Sequence, residues 1–280
     1  MPKKFFFILF ILLIFSANLF ALPQYWSAYM QSGISTAGGN NKYANINLGG
    51  AIERKSSDYE LSFSGSTIYG NQTIKSIDYS TGVPNAIQTK YKTVQEHNLR
   101  ASYDHKPDEK LSWFGFISAN YNRTQLIDLK MNYMLGAKYT FFKEKTETVE
   151  NNLSVSFGAM YETIRYLDTP DLLMQNNWYD LVTYQPIKPA NRNRLYGTMR
   201  PKYVKRNEYF TFKHITYFMF GKDFKADSTN TLSTPLSKTT FLNLDFNYKY
   251  TNKPIFCIDN PLSYLEKSDW TLTVSLMKSF

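Results

Sequence analysis

From Asp128 to Phe141 the chain sorts its side chains by parity. Leu129, Met131, Tyr133, Leu135, Ala137, Tyr139 and Phe141 hold one set of alternate positions; Asp128, Lys130, Asn132, Met134, Gly136, Lys138 and Thr140 hold the other. A helix does not segregate residues with a period of two, whereas successive residues of a strand point to opposite faces of a sheet. The pattern recurs along almost the whole chain. Leu153, Val155, Phe157, Ala159 and Tyr161 oppose Asn152, Ser154, Ser156, Gly158 and Glu162; Leu242, Leu244, Phe246, Tyr248 and Tyr250 oppose Asn243, Asp245, Asn247 and Lys249. Tyr59, Leu61, Phe63, Gly65 and Tyr69 face away from Glu60, Ser62, Ser64 and Ser66, and Ala44, Ile46, Leu48, Gly50 and Ile52 from Asn45, Asn47 and Glu53.

A soluble sandwich also alternates, with its apolar face turned inward. Length separates the two architectures. The alternating segments run about ten to seventeen residues, against about 5–6 for a globular strand and about 9–11 for a tilted strand that crosses a bilayer. The polar parity is rich in Gly, Ser and Asn with charges of both signs, which suits a hydrated interior. The expected fold is therefore all-β, an antiparallel up-and-down transmembrane β-barrel of about twelve strands. A mean hydropathy of −0.40 with 43% hydrophobic residues fits it, because only alternate residues meet lipid. The 22 Tyr and 21 Phe supply material for the aromatic girdles that barrels place at both interfaces.

Turn signals place the strands at 25–36, 42–54, 58–70, 89–104, 111–123, 127–143, 151–166, 193–205, 207–221, 227–236, 239–250 and 269–280. The short connections 55–57, 105–110, 144–150, 206 and 237–238 follow even-numbered strands; the long ones, 71–88, 167–192 and 251–268, follow odd strands. That division puts both termini on the periplasmic side and the long loops outside. Pro235 makes the tenth strand the weakest of the set, and Pro201 inside the eighth marks a lost ladder donor and a local distortion.

The N-terminus reads as an export signal. Lys3 and Lys4 precede an uncharged run from Phe5 to Phe15 and then Ser16-Ala17-Asn18-Leu19-Phe20-Ala21, the layout of a secretory signal peptide cleaved after Ala21. Residues 1–21 are the expected signal peptide and 22–280 the barrel domain; losing two lysines lowers the formal net charge from +9 to +7. Cys257 is the single cysteine, so the chain makes no internal disulfide, and a closed barrel needs none. At the other end Trp270, Leu272, Val274, Leu276 and the final Phe280 share one parity. A terminal Phe on an amphipathic last strand resembles the signal read by outer-membrane assembly machinery, although Lys278 stands at a position that is usually hydrophobic.

The chain resembles the salt-induced outer-membrane protein family, also called domain of unknown function 481. The likeness begins with Trp26 and the turn Gly38-Gly39-Asn40 and continues through Arg54 and the strand Tyr59–Gly70. It takes in the block from Trp113 to Phe142 with Gly136 before Tyr139, then Tyr250, Pro254 and Asp269 ahead of the last strand. The stretch 167–192 departs from the compact pattern. The resemblance implies an outer-membrane barrel in a Gram-negative envelope and carries no defined activity, hence no functional residues to transfer.

A search for chemistry gives little. His97, His105 and His214 are the only histidines; His97 has no Ser two residues on, and His214 is followed by Ile215-Thr216. No metal-ligand spacing and no phosphate-binding glycine loop occur. Neither enzymatic activity nor a cofactor is expected, and a lipid-modifying enzyme is the least favoured reading. The expected lumen-facing charges are Lys92, Glu96, Arg100, Lys130, Lys138, Glu162, Arg194, Arg200, Lys202, Asp245 and Lys249. Cations outnumber carboxylates among them, and Lys or Arg rings favour anions in a pore. The expectation is a narrow porin-like pore with a mild anion preference; a barrel plugged by its own charges stands beside it as an equal alternative. Asp168 to Arg192, with Leu172, Trp178 and Tyr184, supports a third reading as a constriction or a surface for adhesion. The partners implied are outer-membrane lipid, the barrel-assembly machinery and small anionic solutes. Nucleic acid is not among them, since the basic residues are spread along an exported chain.

Overall fold

The computed structural model describes residues 25–38, 41–78, 85–106, 108, 110–123, 126–146, 149–169, 185, 188, 190–252 and 268–280, with the side chains of 37, 38, 41–43, 71–78, 85–94 and 145 left aside. The expected signal peptide 1–21, Cys257 and most of the 167–192 connection lie outside the described residues. Twelve strands follow in order: β1 (Trp26–Gly38), β2 (Asn41–Lys55), β3 (Tyr59–Asp78), β4 (Asn85–His105), β5 (Leu111–Asn122), β6 (Ile127–Lys145), β7 (Glu150–Tyr166), β8 (Arg192–Arg206), β9 (Thr211–Phe220), β10 (Phe224–Pro235), β11 (Thr240–Thr251) and β12 (Ser268–Ser279). Each pairs antiparallel with its neighbours, and β1 pairs with β12 to close the barrel. Closure satisfies every edge, which a sheet standing in lipid requires.

The two parities separate as inside and outside. Ile34, Leu99, Leu135, Phe157, Leu195, Val274 and Leu276 are exposed on the outer face, while Ser35, Asn45, Ser154, Ser156, Glu162, Asn243 and Ser275 are buried within. Cross-strand partners always share a face, and the register carries the assignment around the ring. An outer surface built from exposed Leu, Ile, Val and Phe has its solvent in hydrocarbon, so the barrel is transmembrane. Tyr103, Trp113 and Tyr139 mark one rim of this band; Tyr69, Tyr161, Phe220 and Trp270 mark the other.

Two expected connections are corrected. Residues 71–88 are mainly strand: β3 runs on to Asp78 and β4 begins at Asn85, their pairing passing a register shift at Gly70/Asn71. The link after β8 is not Arg206 alone but Asn207 to Phe210, where Asn207 Oδ1 accepts from the backbone N–H groups of Tyr209 (2.9 Å) and Phe210 (2.8 Å). Such an Asx turn reverses the chain without glycine. Pro235 is the last residue of β10 and does not interrupt it. At Pro201 the β8–β9 register passes from Met199↔Phe218 to Lys202↔Ile215 without slipping, so the missing N–H removes ladder bonds and adds no bulge. The seam is tied at the terminus by Phe280 N–H donating to Ala28 O at 2.8 Å.

Candidate functional site in the barrel interior

The interior is stratified along the barrel axis. At the end away from the termini, β6, β7, β8 and the turn before β10 bring charges together. Glu162, its side chain only 2% exposed, accepts ion pairs from Lys130 (2.8 Å) and Lys225 (3.1 Å). Asp223 pairs with Arg194 and accepts a hydrogen bond from Tyr196 Oη at 2.9 Å. Lys225 also lies over the Tyr196 ring, 4.8 Å from its centroid. Buried charges persist when paired and hydrogen-bonded, and here two carboxylates are shared among three cations.

Below this layer Phe114, Phe116, Met134, Met160, Tyr196 and Met219 form an apolar cluster inside the barrel, with Tyr217 packed against it. They come from β5 to β9, so one side of the lumen is filled. Two guanidinium groups border the cluster: Arg100 stands 4.0 Å from the Phe116 centroid, and Arg200 stands 5.1 Å from that of Phe114 while donating to Tyr217 Oη at 2.6 Å. The opposite wall is built of short polar side chains. Ser35 bonds Asn47 (3.1 Å), Gln31 bonds Ser275 (2.5 Å), Thr229 bonds Asn247 (2.7 Å) and Thr231 bonds Asp245 (2.6 Å). Those groups lie close to the wall and leave room beside the packed side. A cavity of about 230 Å³ is lined by Tyr29, Gln31, Ser64, Ser66, Asn98 and Arg100, among others.

Toward the terminal end the interior turns cationic. Lys138 pairs in register with Ser156, and Ser156 with Arg200. Lys202 lies two residues further along β8 and within Coulombic reach of Lys213, Lys138 and Arg200. Among the described residues no ion pair includes Arg100, Lys138, Arg200, Lys202 or Lys213. Glu60 and Asp104 are the carboxylates within reach of Lys138; Glu60 already pairs with Lys106 at 3.0 Å and Lys55 at 3.9 Å.

Of the charges singled out in the sequence, Glu96, Arg100, Lys130, Lys138, Glu162, Arg194, Arg200, Lys202, Asp245 and Lys249 occupy the inward parity. Glu96 is held by amides, accepting from Asn98 (3.0 Å), Asn120 (3.2 Å) and Asn122 (2.8 Å). Lys249 stands opposite Asp227 and Asp269, and the Lys92 side chain lies outside the described residues. Trp270, Leu272, Val274 and Leu276 take the outward parity of β12. Asp223, Lys225, Lys213 and the packed aromatic and Met residues were not picked out from the sequence. Phe114 and Phe116 sit between apolar neighbours of the other parity, so alternation did not assign them a side.

Residues 30–280 match the family described as "Protein of unknown function, DUF481". The chain belongs to the DUF481 family. Its description names no activity and makes no mention of salt induction. No curated protein matches the sequence. Among solved structures, a NanC porin is 7% identical with a TM-score of 0.51, covering 89% of this DUF481 chain and 98% of that chain. A KdgM porin is 10% identical with a TM-score of 0.43, covering 89% and 99%. The translocator domain of the autotransporter NalP from Neisseria meningitidis is 9% identical with a TM-score of 0.46, covering 97% and 94%. At these identities what is shared with NanC is the barrel fold.

The DUF481 barrel also carries polar groups on its lipid-facing side. His214 Nδ1 faces Asn230 Oδ1 at 2.8 Å, its Nε2 meets Thr216 Oγ1 at 3.1 Å, and Thr216 reaches Ser228 Oγ at 3.2 Å. The order hydroxyl, imidazole, amide is that of a nucleophile, base and orienting group. The set lies between Phe212 and the Phe218, Phe220 and Phe224 aromatic group on the outer face. The second outward histidine, His97, contacts Thr67 and Gln95 and stacks on Tyr121. In both, hydrogen bonding among neighbours satisfies polar atoms that lipid would leave bare.

Proposed function

We propose that this DUF481 protein is an outer-membrane diffusion channel for small solutes with a preference for anions. The observation that carries the reading is the asymmetric lumen, one side packed and the other walled by short polar residues, with cations lacking ion-pair partners among the described residues between them. A water path beside the packed side is narrow, and the inward Arg100, Lys138, Arg200, Lys202 and Lys213 tilt its potential toward anions. The remaining inward charges, including Lys249 and Asp245, line the path. Residues 1–21 direct export, and the Trp270 to Phe280 strand is the segment recognised by the assembly machinery.

Reconstitution in a planar bilayer tests the proposal. Unitary steps with a reversal potential displaced toward the chloride equilibrium potential in a KCl gradient support it. A plugged structural barrel is the second reading, favoured by the packed Phe114–Met134–Met160 cluster, and it gives a silent bilayer from protein that still shows heat-modifiable mobility. Sequencing the N-terminus of the mature protein tests cleavage after Ala21.

A further inference from the structure

Four cations on three strands are gathered at one level of the interior: Lys138 on β6, Arg200 and Lys202 on β8, and Lys213 on β9. Their grouping is unfavourable in itself, because like charges so close raise the free energy of the folded state unless an opposite charge joins them. At the far end of the same lumen the chain supplies that opposite charge, through Glu162 to Lys130 and Lys225, and through Asp223 to Arg194. At the terminal end carboxylates act on the group only from a distance: Asp104 and Glu60 on Lys138, Glu60 on Lys202, and Glu53 and Asp245 on Lys213. Glu60 is paired with Lys106 and Lys55, Glu53 with Lys55, and Asp245 accepts from Thr231, so none forms an ion pair with the four among the described residues. Hydrogen-bonding capacity is also left over. Arg200 Nε and Ser112 Oγ are buried without a partner among the described residues, and Ser112 stands directly across the ladder from Lys138. Arg200 is held in place by Tyr217 at 2.6 Å and borders Phe114, so its fork is fixed before any ligand arrives.

We propose that Lys138, Arg200, Lys202 and Lys213, with Ser112 beside them, form a saturable binding site for a small solute carrying two or more negative charges, of the phosphate or polycarboxylate class. Chloride, with one charge, offsets the charge of only one of the four cations. A dianion or trianion bridges several and relieves their mutual repulsion, so valence is what the site reads. At the far end the described cations Lys130, Lys225 and Arg194 already have carboxylate partners, and the group of four lies nearer the terminal side of the barrel. The inference deepens the channel reading but does not require an open path, because a plugged barrel would still expose the site to its terminal end.

Two measurements separate the inference from that reading. With protein in planar bilayers, inorganic phosphate and citrate are each added to one chamber at matched ionic strength, with gluconate as the monoanion. Saturable block of the current by phosphate or citrate, stronger from one chamber than from the other and absent with gluconate, supports the site; the stronger of the two probes tells phosphate from carboxylate. The same probes are titrated calorimetrically into detergent-purified, heat-modifiable protein, which reports binding even where no current flows. The double variant Lys202→Gln/Lys213→Gln should weaken binding by about tenfold or more, whereas Lys130→Gln, in the paired layer, leaves it within about twofold. Saturable heat without conductance removes the channel and keeps the site. Conductance with no saturable heat or block, or equal binding by wild type and the double variant, overturns the site and keeps the channel.

Discussion

Phe114 lies over Gly136 so closely that a methyl group at position 136 would stand 2.8 Å from the ring's Cζ. The same methyl would stand 2.3 Å from the backbone oxygen of Phe157 on the neighbouring strand, and Gly158, directly opposite, is equally hemmed in. The glycine pair is thus the floor on which the apolar side of the lumen is packed. Gly136→Ala should destabilise the folded barrel by about 1–3 kcal/mol through overpacking. Gly197→Ala, where the nearest atom is 3.8 Å away, should change it by no more than about 0.5 kcal/mol. Urea unfolding in lipid vesicles measures both.

Removing the filling should widen the path. Phe114→Ala combined with Phe116→Ala is expected to raise unitary conductance severalfold while lowering stability, each truncation costing about 3–5 kcal/mol. An unchanged conductance in a correctly folded double variant would mean that ions do not pass beside this cluster.

Glu162 holds two ammonium groups at once. Glu162→Gln removes the shared carboxylate and leaves Lys130 and Lys225 with their mutual repulsion, so a loss of about 3–5 kcal/mol is expected. Anion preference should rise in the same variant, since two cations are released toward the lumen. Unfolding midpoints and reversal potentials read the two effects separately.

The outward His214–Asn230 contact makes a thermodynamic cycle. Asn230→Leu alone strands the His214 N–H in lipid and should destabilise the barrel by about 1–3 kcal/mol. His214→Leu with Asn230→Leu removes both partners and should be neutral or stabilising. A double variant no better than the single one would show that the polar chain contributes something beyond satisfying itself.

Anion preference resting on lumen charges should fade with salt. At 1 M ionic strength the Debye length is about 3 Å, against about 10 Å at 0.1 M. Reversal potentials measured at a fixed concentration ratio should therefore shrink toward zero as the absolute concentration rises; a preference set by pore width alone would not.

The strands were legible because lipid and water alternate at each residue of a membrane barrel. Where that alternation of solvents stops, so does the signal. Asn71 to Asp78 continue β3, yet their polar residues fall on both parities and read as a loop. Trp113-Phe114-Gly115-Phe116-Ile117 is apolar throughout, and the inward side of Phe114 follows only from its pairing beside Ser112 and Lys138. The cation group needs register across β6, β8 and β9, with Lys138 some sixty to seventy-five residues from the other three in the chain. Parity shows which way each one points but not which others stand beside it.

β3 and β4 are 20 and 21 residues long, whereas β9 and β10, half a turn away around the ring, have 10 and 12. The staves of this cask are cut unevenly, and at about 3.3 Å per residue each strand of the longer pair runs roughly 30 Å further, measured along its own direction. A solute descending on the far mouth meets a screen on one flank and a low sill on the other, where Asp223 and Arg194 sit. Among the described residues the lower approach is therefore oblique, over the β9–β10 sill, with the Asp223–Arg194 pair, its carboxylate buried, just beneath it.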